Sequence, residues 1–127
     1  MEYKEVKDKI KQINTENVIW IIYIIIIFMS WYANYFEKKY YLNNDNESKE
    51  KYKSIMVFIF LILLVVYFYF VTDSYQDVKK LNSSDSDEKK KLVLLSFLGS
   101  LFVLLSGIIF TYISIKDENL DVELAFN

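Results

Sequence analysis

Residues 92–115 read LVLLSFLGSLFVLLSGIIFTYISI, a run of 24 residues without a charged side chain. At 1.5 Å per residue the run makes about 36 Å of helix, enough to cross a hydrocarbon core of about 30 Å with some tilt. It holds both glycines of the chain, Gly99 and Gly107, and most of the hydroxyls found in apolar surroundings. The expectation is a membrane-spanning helix on which the other helices pack.

Two more apolar runs precede it. Residues 18–36, VIWIIYIIIIFMSWYANYF, are dense in Ile, with Trp20 near one end and Trp31, Tyr32 and Tyr35 at the other. Amphipathic rings prefer the headgroup level, so these residues mark the two interfaces. Residues 55–71, IMVFIFLILLVVYFYFV, contain no charge, no amide and no Gly. A helix so uniformly apolar needs no polar partner and is expected largely to face lipid.

The connections are polar. Asn43-Asn44-Asp45-Asn46 reads as a turn, because Asn and Asp bond their own backbone and tolerate left-handed dihedrals. Its flanks continue the neighbouring helices into an antiparallel hairpin. Asn82-Ser83-Ser84-Asp85 breaks the chain again, and Ser84 before Asp87, or Asp85 before Glu88, resembles a helix N-cap pattern. Ahead of the first span, Tyr3, Val6, Ile10 and Ile13 fall on one helical face. This segment either lies on the membrane surface or extends the first span into water, and the narrow apolar face favours the extension. The tail beyond residue 115 has one Lys and four acids. Within it Leu120, Val122, Leu124 and Phe126 alternate with polar or small residues, which is the period of a strand. A lone strand needs a sheet to join, so the tail is either disordered, as chain ends usually are, or its four apolar residues are a candidate partner-binding tail that adds to a partner's sheet edge or folds back on a neighbouring protomer.

The 127 residues read as a single transmembrane domain, with spans at about 18–36, 55–71 and 92–115 and an acidic tail at 116–127. Composition removes several classes of function. The chain has no Cys and no His, so thiol chemistry, a structural zinc site and a His acid or base fall away. A net charge of −2, with Lys scattered beside acids, argues against nucleic acid as a partner. No Asp, Glu or Lys lies inside a span, which argues against a proton relay or a voltage sensor. Phosphate-loop, zincin and nucleophile-elbow motifs are absent from the sequence. Neither an enzyme nor a cofactor-binding protein is expected.

The third span carries the one patterned feature. Stepping 100° per residue from Ser96 brings Gly99, Ser100, Val103, Gly107, Thr111 and Ser114 within 60° of it. Small stripes let helix backbones approach closely, and their hydroxyls can bond across the contact. These seven residues are the candidate helix-packing face. They would serve another span of the same chain, a second protomer, or a pore lining. Three spans in a chain of this size resemble the phage holins in general outline, which implies a homo-oligomeric pore.

The expected fold is thus all-α, with three transmembrane helices joined by short polar loops. The expected function is a small non-enzymatic integral membrane protein acting by helix association. Its partners would be the lipid bilayer and either itself or another membrane protein. The alternative is a homo-oligomeric pore-former of holin or toxin/effector type. With the N-terminus in the cytoplasm, Lys counts are 4 + 5 = 9 inside and 5 + 1 = 6 outside, so the positive-inside rule favours N-in, C-out.

Overall fold

The computed structural model describes residues 2–116, and among these it contains three α-helices and no strand. They are α1 (Tyr3–Asn43), α2 (Asn46–Lys79) and α3 (Asp87–Lys116). Each contains a stretch long and apolar enough to cross a membrane. The polar segment at the start of the chain is part of α1, in unbroken helix with the apolar run. It extends the span, as the narrow apolar face favours.

Both turns are made by the residues that break the helical pattern. Asn44 takes a left-handed conformation, φ 52° and ψ 40°, and its N–H donates to the Tyr40 carbonyl at 2.7 Å. Asn is among the few residues that visit this region at small cost. Asp45 then caps α2, accepting the Glu47 N–H at 3.1 Å and the buried Ser48 hydroxyl at 2.9 Å. The Ser48 hydroxyl first, helped by the Glu47 amide and Lys39, holds the Asp45 carboxyl below its ordinary range against an opposing effect of desolvation. In the second turn the cap of α3 is Ser86, whose hydroxyl accepts the Lys89 N–H at 3.1 Å. Neither Ser84 nor Asp85 takes that role. Asp85 is committed to the turn itself, accepting the Asn82 N–H at 2.8 Å and the Lys89 ammonium at 3.2 Å.

The central helix is α2, which corrects the expectation that the others pack on α3. Both α1 and α3 run antiparallel to α2 and pack on it, while the backbones of α1 and α3 come within 8 Å of each other nowhere among the described residues. The result is an open row of three helices rather than a closed triangle. The core lies between α1 and α2, where Ile26, Ala33 and Phe36 meet Tyr52, Met56, Ile59, Phe60 and Leu63. From the other side Phe110 of α3 stacks on Phe60, ring centroids 6.2 Å apart. The expectation that the second span largely faces lipid is corrected with it: α2 has more buried residues than either neighbour. Its large side chains need small receivers only on the facing helix, and Ala33 on α1 and Gly107 on α3 supply them. One narrow stripe of α2 stays open, through Phe58, Leu61, Val65 and Phe68.

Candidate functional site

The small-residue stripe of α3 is divided by its neighbour. Gly107, Thr111 and Ser114 are buried, and α2 is the only helix packed on α3 among the described residues. Ser100 is half-buried, whereas Ser96, Gly99 and Val103 are exposed. At Gly107 the approach is close. A Cβ built there would lie 2.8 Å from Cδ2 of Tyr67, 3.0 Å from its Cε2 and 3.1 Å from Cδ2 of Leu64. At Gly99 a Cβ would meet nothing within 4 Å. The two glycines therefore have opposite surroundings, although both lie on the same stripe in the sequence.

Three of the four hydroxyls of the stripe bond within their own helix. Thr111 Oγ1 donates to the Gly107 carbonyl at 2.7 Å, Ser114 Oγ to the Thr111 carbonyl at 2.8 Å, and Ser100 Oγ to the Phe97 carbonyl at 2.7 Å. This back-bonding satisfies the donor without a partner helix. None of these three hydroxyls is directed at α2.

The buried and half-buried positions of α3 include Val93, Phe97, Ser100, Leu104, Gly107, Thr111 and Ser114, in alternating steps of four and three. That is the 3.5-residue period of a left-handed supercoil. The same period runs along α1, where Gln12, Ile19, Ile26, Ala33 and Tyr40 recur every seven residues on the side towards α2. Gln12 ends this seam with a hydrogen bond, Nε2 to Oδ2 of Asp73, at 3.0 Å. Around it lies a recess of about 620 Å³ with Glu5, Asp8, Asp77 and Lys80 in its walls. Among the described residues no group of three or more acidic side chains is arranged to hold a metal ion.

At the other end of the bundle the aromatic residues form a belt. Trp31, Tyr32 and Tyr35 are exposed. The Lys51 ammonium lies 5.4 Å from the centre of the Phe36 ring, and that of Lys49 lies 5.6 Å from the centre of Tyr40. Here the apolar runs of all three helices end at nearly the same level. At the Gln12–Asp73 end they do not. Tyr75, already past the apolar run of α2, contacts Phe97 with ring centroids 5.7 Å apart. Leu92, Leu94 and Leu95 continue α3 beyond that level and are exposed. The candidate tail residues Leu120, Val122, Leu124 and Phe126 lie outside the described residues.

These features define a class: a small all-α chain whose three helices are long and apolar enough to span a membrane. Comparison with family models, with curated proteins and with solved structures gives no match.

Proposed function

We propose that the protein is a non-enzymatic integral membrane subunit that works by helix association, with itself or with another membrane protein. The observation that carries this reading is the open row. Helices α1 and α3 are each covered on one side by α2 and leave the rest of their surface to lipid or to other helices. Between helices in lipid the attraction is packing and hydrogen bonding rather than hydrophobic burial, so small residues facing outward are where another helix approaches best. Ser96, Gly99 and Val103 offer such a surface. The N-terminus is placed in the cytoplasm in this reading, on the Lys distribution.

The test is the mass of the complex in mild detergent, with the membrane potential followed by dye during inducible expression in bacteria. A defined oligomer or a co-purifying membrane partner, with the potential held, is the expected result. A monomer with no companion overturns it. Rapid depolarisation replaces it with the pore reading, in which the outward hydroxyls of Ser96 and Ser106 would line a water path between protomers.

A further inference from the structure

We infer that α1 pairs with the α1 of a second copy of this chain as a parallel coiled coil that begins in water and continues into the membrane. The inference rests on the association reading above, names its partner, and adds a second surface, on α1, to the small-residue one on α3. Along the side of α1 turned away from α2 runs a second line of large side chains. Tyr3, Val6, Ile10 and Ile13 are exposed on it, as are Trp20, Ile24, Ile27 and Trp31 further on. Their steps of three and four, with Asn17 filling the place between Ile13 and Trp20, keep the 3.5-residue period for the whole length, so the line is a heptad seam on a helix whose opposite seam is already occupied.

Lipid covers the later half of this line and cannot cover the first. Ile10 stands eight residues before Val18, where the apolar run begins, which is about 12 Å of helix, and Tyr3 stands about 22 Å away. The headgroup zone adds only about 5–7 Å to each side of the hydrocarbon. Lys4, Glu5, Lys7, Asp8, Lys9 and Lys11 keep the segment in water. An apolar seam in water calls for a protein partner.

Three observations select a second copy. Copies inserted with the same topology present their α1 helices parallel, the arrangement in which this seam meets itself in register above and within the membrane. With Tyr3 and Ile10 at the first heptad position, Asn17 occupies that same position between Ile10 and Ile24. A lone Asn there fixes register and favours two strands in parallel coiled coils. One flanking pair is complementary in charge, Glu2 of one helix falling opposite Lys7 of the other from the edge of the recess against α2, while Lys9 falls opposite the uncharged Asn14.

The chain has no cysteine, so single cysteines report contacts without background. The experiment is oxidative cross-linking in native membranes of Val6→Cys, Ile10→Cys and Ile13→Cys, against Lys4→Cys, Asp8→Cys and Lys11→Cys on other faces. Cross-linked dimer at least tenfold greater for the first three is the expected result. Equal or absent cross-linking at those three overturns it. In an Ile10→Cys background, Lys7→Glu should lower the cross-linked fraction several-fold and Glu2→Lys added to it should restore that fraction. No change on either substitution refutes the parallel register. Wild-type mass in mild detergent separates the two levels of the argument. An oligomer without cross-links on this seam refutes the α1 contact alone, and a monomer refutes association as well.

Discussion

The two halves of α3 have nearly the same chemistry and different circumstances. From Gly107 to Ser114 the small residues lie under the side chains of α2, and the ring of Tyr67 lies 2.8 Å from where a Cβ at Gly107 would be. From Ser96 to Val103 residues of the same kind are largely open. Small size permits close approach but does not summon a partner. What decides the matter is the path of the seam. A straight stripe drawn at 100° per residue and a seam with a 3.5-residue period diverge by about 20° per heptad. They coincide near Thr111 and Ser114 and have separated by Ser96.

The contrast can be broken or sharpened by substitution. The largest effect is expected where the halves meet. Leu104→Lys places a charge on the half-buried seam at mid-span, at a cost of about 2.5–3.5 kcal/mol on the insertion scale. A topology reporter should show a reduced inserted fraction for the third helix, and normal yield and topology would count against an apolar seam at Leu104.

Gly107→Leu comes next. Overpacking a filled site costs about 1–3 kcal/mol, here by pushing Tyr67 and Leu64 off α3. A lower unfolding midpoint in detergent is expected, while Gly99→Leu should leave the midpoint of the isolated protomer unchanged. Equal loss from both would erase the distinction between the halves.

Smaller still is Thr111→Val. The hydroxyl bonds its own helix, so its removal strips no donor from α2, and the midpoint should move by less than for Gly107→Ala. A larger loss than that of Gly107→Ala would mean that the hydroxyl bonds across the helices after all.

The smallest effect is expected from acid, and it lies outside α3 altogether. Because the Asp45 carboxyl is held below its ordinary value in the folded chain, its contribution is present above the unfolded value and is lost as pH falls through the folded one. The α1–α2 hairpin should loosen slightly in that window, and Asp45→Asn should remove the dependence while leaving the Gly107 contact intact. A pH profile unchanged by Asp45→Asn would assign the acid transition elsewhere.

Much of this architecture was legible. Run length alone marked the three helices, and Asn44 and Asp45 announced the first turn by the chemistry that makes it. Two things were not legible from residue type. The cap at Ser86 does not show in residue type, because Asp85, an equally good cap former, is drawn into the turn by Asn82 and Lys89. The order of packing is not carried by the glycines, which lie on α3 and not on the central helix. A helix of large side chains between two short turns has an antiparallel neighbour on each side, and that position in the chain was the available signal for α2. The seam of α3 was likewise readable as steps of four and three from Val93, had a supercoil been assumed instead of a straight helix.

The uneven ends of the three apolar runs have a consequence for where the protein settles. The run of α3 continues past the level at which α2 has become polar, as the contact of Phe97 with Tyr75 shows, while at the Trp31 end the three runs stop together. No single hydrocarbon thickness suits all three helices. A thick bilayer covers Leu92 to Leu95 but draws the Gln12–Asp73 pair towards lipid, and a thin one does the reverse. Each ångström of such mismatch costs a fraction of a kcal/mol and is relieved by tilting or by deforming the bilayer on one side. In a membrane the relief would fall on one side of the chain, and lipid chain length should therefore change its lean.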